Sequence, residues 1–114
     1  MSKIGNSLLS INIIAGGPIV ANRFVGFDDN QASVQGQKVK GIAEYSATAL
    51  GQNIAATAKG TAVIEAGGPF NPGDQIVSDA QGRGIAATQA TDYVKAEALV
   101  ASVGAGQFVE ILLK

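Results

Sequence analysis

Apolar side chains recur at every second position along this chain in short bursts, and each burst stops at glycine, proline, asparagine or aspartate. A two-residue period is that of a half-buried strand. Leu8 to Ala15 (LLSINIIA) places Leu9, Ile11 and Ile13 on one face and Ser10, Asn12 and Ile14 on the other. Gly16-Gly17-Pro18 ends this first strand. Arg23 to Phe27 then reads as a short strand closed by Asp28-Asp29-Asn30. Lys38 to Tyr45 (KVKGIAEY) alternates Val39, Gly41 and Ala43 with Lys38, Lys40 and Ile42, and Gly41 argues against a helix there. Gln52 to Lys59 continues with weaker alternation.

From Gly60 to Ala87 three apolar runs, Ala62-Val63-Ile64, Gln75-Ile76-Val77 and Ile85-Ala86-Ala87, are separated by turn formers: Gly67-Gly68-Pro69, Asn71-Pro72-Gly73-Asp74 and Asp79 to Gly84. Residues that supply positive or fixed φ angles at those places predict a compact β meander. Asp92 to Ser102 (DYVKAEALVAS) has the propensity of a helix. An internal comparison makes most of it a strand instead. Gly16-Gly17-Pro18 recurs as Gly67-Gly68-Pro69, Val39-Lys40 as Val94-Lys95, and Gly51-Gln52 as Gly106-Gln107, with Lys59 matching Lys114. Two related β modules, 16–59 and 67–114, account for this, and chance similarity in an Ala/Gly-rich chain is the open alternative. The last strand, Gln107 to Leu113, is the most apolar and is expected to be the most buried. Residues 1–7, small and polar, form an expected N-terminal arm ahead of a single β domain at 8–114.

Composition narrows what such a module does. At 114 residues the chain is one domain. Its charged fraction is 15%, against about a quarter in ordinary globular proteins. A low-charge surface rich in small residues suits faces covered by other subunits. The net charge of -1 offers no general attraction for nucleic acid or an anionic membrane. Residues 1–20 carry Lys3 alone in a broken apolar pattern, so neither a signal peptide nor a membrane span is expected.

The chain has neither cysteine nor histidine, which removes disulfides, thiolate nucleophiles, imidazole bases and the usual zinc, copper and haem ligands. Asp28, Asp29, Asp74 and Asp79 sit in turn sequences, where carboxylates cap backbone amides. Asp28-Asp29-Asn30 lacks the glycine and distal glutamate of a calcium loop. Gly82-Arg83-Gly84 and Gly104-Ala105-Gly106 lack the second half of a phosphate-binding motif. No catalytic, cofactor-binding or metal-binding residue is expected, and the protein is not expected to be an enzyme. Of the aromatic residues, Tyr45 and Phe70 are expected on exposed loops, available for contact. A free arm beside an open sheet edge suggests strand addition to a partner's sheet.

At GIAEYSA (Gly41 to Ala47), KGTAVIEAGGPFNPGDQIVSDAQGRGIAA (Lys59 to Ala87) and EALVASVGAGQFVEILLK (Glu97 to Lys114), the sequence resembles the small cement, or head-decoration, proteins of tailed-phage capsids. That family is similar in fold to the lambda-type decoration proteins. The resemblance implies an all-β single domain of β-barrel or β-tulip type with an extended N-terminal arm, no enzymatic activity and no cofactor. It implies a homotrimer on the outer surface of the virion, made in the host cytoplasm, that clamps neighbouring major capsid protein subunits against the pressure of packaged DNA. On this reading Ser2, Lys3, Ile4, Asn6, Leu8 and Leu9 contact the capsid. The alternative is a virion-displayed module that binds a host-surface ligand such as a glycan through Tyr45 and Phe70.

Overall fold

The computed structural model describes residues 7–114. The described chain is all-β and contains no helix. Its strands are β1 (Ser7–Ile14), β2 (Phe24–Gly26), β3 (Val39–Ala43), β4 (Asn53–Glu65), β5 (Gln75–Ser78), β6 (Gly84–Ala86), β7 (Ala96–Ala98) and β8 (Phe108–Leu113). They form one antiparallel, barrel-like sheet in the order β2-β3-β4-β8-β7-β5-β6, with β1 added onto β4. Most of the segment with helical propensity, Asp92 to Ser102, is expected as a strand, but only Ala96–Ala98 form one, β7, whose Ala96 and Ala98 are buried while Glu97 lies between them on the other face. Its pairing with β5 and β8 overrides local preference.

β4 is the axis of the fold. Gln52 to Lys59 and Ala62 to Ile64, read from sequence as two runs, are one strand of 13 residues. Its even positions from Ile54 to Ile64 are all buried. Residues 53–60 register with β1 and residues 60–65 with β8, while Ala56 and Thr57 also pair with Ala43 and Ile42 of β3. Gly60, at φ 104, bends the strand where β1 gives way to β8. Because β8 takes the second half of β4, the expected meander is broken: β5 pairs with β6 and β7, not with β4.

Two apolar clusters result. The larger joins Phe24, Val39, Ile42, Ile64, Phe70, Ile76, Val109 and Ile111; the smaller joins Ile13, Ile19, Val25, Ala43, Ile54 and Ala56. Neighbouring residues of one strand serve different clusters: Phe24 and Val25 in β2, Ile42 and Ala43 in β3. The β2–β3 pair is therefore buried on both faces, and burying each large side chain contributes roughly 1.5–3 kcal/mol. β8 departs from expectation. Val109, Ile111 and Leu113 face inward, but Phe108 and Leu112 lie on the outer face, so the most apolar strand is only half-buried.

Turn chemistry fixes the register. Asp79 Oδ1 accepts the Gln81 and Arg83 amides at 2.8 Å each, Asp74 Oδ2 accepts the Asn71 amide at 2.9 Å, and Asp28 Oδ1 accepts the Asn30 amide at 3.2 Å. Asp29 holds Lys40 in an ion pair. The acidic residues considered for chemistry are thus turn caps and a strand tie. A second device recurs three times. At Gly36-Gln37, Gly51-Gln52 and Gly106-Gln107 the glycine takes a positive φ, and the glutamine Oε1 accepts amides three or four residues back: Ser33 and Val34, Thr48 and Ala49, and Val103 respectively. Each such turn launches a strand, β3, β4 or β8.

Candidate interaction surface

The expected contact residues fall into three groups. Ser2, Lys3, Ile4 and Asn6 lie outside the described residues. Leu8 and Leu9 lie on β1, 83% and 46% exposed. Of the two aromatic residues expected on loops, Tyr45 is 64% exposed just beyond β3, but Phe70 is only 4% exposed. Turns on either side fold the Phe70 segment inward: Phe70 N donates to Ser102 O and Ser102 N to Phe70 O, both at 3.0 Å, and the ring joins the larger core cluster. Phe70 is a core residue, which corrects its expected place on the surface.

A cavity of about 170 Å³ opens beside β4, lined by Asn22, Ala43, Glu44, Thr57, Thr61 and Val63, and bounded by Ser7. Its polar groups are committed to joining strands. Glu44 Oε2 accepts Ser10 Oγ at 2.9 Å and Thr57 Oγ1 at 3.0 Å, tying β1, β4 and the end of β3 together. Asn22, in the left-handed region at φ 66, donates from Nδ2 to Val63 O at 3.0 Å. Among the described residues, no group of three or more carboxylates could hold a metal ion. A charged network, Arg23 and Arg83 with Glu65 and Asp79, pins β2 and the β5–β6 turn to the end of β4.

β1 is the unusual surface element. Ala15 N donates to Gln52 O, which places residues 11 and 13 in hydrogen-bonded pairs with β4 and turns the amides of Ser10, Asn12 and Ile14 away from it. Among the described residues these outward groups have no backbone partner. Every side chain of the strand is uncharged. Of the β4 residues registered with it, from Gly60 to Asn53, only Lys59 is charged; it faces Leu9. Lys95 and Lys114 lie close by: Lys114 N donates to Lys95 O, Lys95 Nζ donates to Lys114 O at 3.0 Å, and Lys114 pairs with Glu97 at 3.0 Å. Partial burial, with Lys59 nearby, holds the Lys95 ammonium below its ordinary pKa.

No protein-family model and no curated protein sequence matches this chain. Among solved structures it is similar to the head fiber gp8.5 N base of bacteriophage phi29, with a TM-score of 0.72, 15% identity, and 93% of each chain covered. What the two share is the fold. At that identity the likeness extends to architecture over nearly the whole chain and not to individual side chains. The structure it resembles is a phage head protein; no family model supports the kinship with the lambda-type decoration proteins that the sequence motifs suggest.

Proposed function

We propose that this chain is a structural protein of a phage head, held on the outer surface of the shell by the major capsid protein. The observation that carries the reading is the fold match, over 93% of both chains, to the N base of a bacteriophage head fiber. A chain with only 15% charged residues and a neutral exposed strand supports a role in contact. In the finer form of the proposal the protein assembles as a homotrimer and clamps neighbouring capsid subunits. Many weak contacts repeated by symmetry then act together against internal pressure.

The test is to purify heads lacking this protein from the phage that encodes it, add the purified chain, and sediment them. Retention on the heads together with a higher temperature of DNA release is the expected result. Absence from the head pellet overturns the head-surface role; retention without any gain in heat resistance overturns the clamp alone. The glycan-binding alternative is weakened, because one of its two aromatic contacts, Phe70, is buried.

A further inference from the structure

An uncharged, eight-residue strand whose outward amides are unpaired among the described residues is a template for a further strand, and proteins ordinarily protect such edges with charges, prolines or bulges. In β1 the protection is partial. Its register with β4 shifts between Ser7 and Leu9 and again between Leu9 and Ser10, but Ser10 to Ile14 run regularly against Thr57 to Asn53. Neither a charge nor a proline interrupts the strand. Leu8 and Ile14 stand exposed near its two ends, with Ser10 and Asn12 between them.

The surroundings decide what could lie there. At its N-terminal end the strand meets Lys59, with Lys95 and Lys114 beyond. Glu97 answers Lys114. Glu44, the carboxylate bonded to Ser10, is already engaged by two hydroxyls. Lys59 and Lys95 have no side-chain carboxylate partner among the described residues; Lys95 Nζ donates instead to Lys114 O at 3.0 Å. A second lysine-bearing copy of the same edge brought alongside in parallel would oppose like charges, whereas a carboxylate-bearing strand would meet complementary ones.

We propose that the outer edge of β1 receives an extended segment of another protein, hydrogen-bonded through Ser10, Asn12 and Ile14, with carboxylates over Lys59 and Lys95. Backbone bonds supply affinity, the lysines fix which end of the segment lies where, and Leu8 and Ile14 take apolar side chains. This gives the head-surface reading a docking element and rests on it, but its test needs no heads.

The probe is a capped octapeptide of alternating valine and glutamate, with the valine–lysine octapeptide as comparison, titrated into isotope-labelled protein and followed by amide shifts. Binding of the glutamate peptide should move the Ser10, Asn12 and Ile14 amides and be about tenfold tighter than that of the lysine peptide, as two exposed charge pairs allow. Asn12→Pro removes one outward donor and no β4 ladder bond, so it should abolish binding. The exposed double variant Lys59→Glu/Lys95→Glu should reverse the peptide preference, and it answers the question even where the proline variant does not fold. No binding, shifts confined to other strands, or an unchanged preference in the double variant overturns the proposal. So does self-association through the same amides, which would make a second copy the occupant. Heads that bind the chain while the peptide leaves β1 unmoved overturn the edge and leave the head-surface role standing.

Discussion

Gly41→Ala is a sharp test of how β3 is seated. A methyl group there would stand 2.5 Å from the Thr57 carbonyl oxygen, 3.1 Å from its carbon and 3.4 Å from the Ala58 Cα. Ordinary contact begins at 3.4 Å, so the strands must part by roughly 0.9 Å at that point. The obstacle is backbone, which has no rotamer to change. β3 and β4 are in register only at Ile42 with Thr57 and Ala43 with Ala56, next to the clash, so the displacement acts on the whole of their pairing. Two effects oppose each other. Replacing a strand glycine by alanine gains about 0.5–1 kcal/mol by restricting the unfolded chain. Overpacking a rigid site costs about 1–3 kcal/mol, and Ile42 and Ala43, one in each core cluster, move with the strand. The clash should win, leaving a net loss of about 1 kcal/mol and a fall in Tm of about 4 °C for a domain of this size. Thermal unfolding followed by circular dichroism reads this directly, with Gly68→Ala as the control because nothing lies within 4 Å of its added methyl. A Gly41→Ala protein as stable as the parent would refute the close approach of β3 to β4.

Four further outcomes are expected. Phe70→Ala should cost about 3–5 kcal/mol as a core truncation, whereas Tyr45→Ala should stay within about 0.5 kcal/mol; urea titration separates them, and a neutral Phe70 variant would return that ring to the surface. Glu65→Gln removes the charge shared by Arg23 and Arg83 in a site where all three side chains are at most a quarter exposed, and should cost about 1–3 kcal/mol, measured by chemical denaturation at high and low salt. Gln37→Met leaves the Ser33 and Val34 amides without their shared acceptor and should cost about 1–2 kcal/mol, with faster hydrogen exchange confined to that turn. Lys95 is held below 10.5 first by burial and then by Lys59. Between its folded and unfolded pKa values the unfolded chain therefore binds more protons, so this group makes stability rise with pH in the alkaline range. Lys59→Gln should move the Lys95 titration upward only part of the way, since burial remains, as NMR titration of the lysine side chains would show.

Much of the fold was legible because strand alternation and turn residues are local signals. Leu9, Ile11 and Ile13 announced β1, and the aspartates of the PGD and SDAQGR turns announced their caps. Errors arose where a residue's role depends on a distant neighbour. Gln52 to Lys59 and Ala62 to Ile64 look like two runs, yet Gly60 carries β4 on without ending it, because β1 and β8 take over from one another there. Phe108 and Leu112 look like core residues, but inward space in β8 is filled by Val109, Ile111 and Leu113. Phe70, flanked by Gly-Gly-Pro and Asn-Pro-Gly, carries every local mark of a loop, and only its two bonds to Ser102 reveal that it points inward. The Gly-Gln turns were visible as a repeat, at Gly51-Gln52 and Gly106-Gln107, but the role of the glutamine oxygen as a cap needed the three-dimensional turn.

The same distinction between side-chain and backbone signals singles out one part of the surface. Leu50 and Val103 are as exposed as Leu8, at 76%, 87% and 83%. Single apolar side chains on a surface are common and carry no functional weight. Leu50 and Val103 belong to turns whose amides are already capped by Gln52 and Gln107, so little is left there for a partner to pair with. Leu8 belongs instead to a strand whose alternate amides face outward without a backbone partner among the described residues. Exposed leucines alone would make β1 ordinary, and an unpaired edge alone would be met by water. The two together, ending beside lysines that lack side-chain carboxylate partners among the described residues, make β1 the element through which the proposed contacts should act.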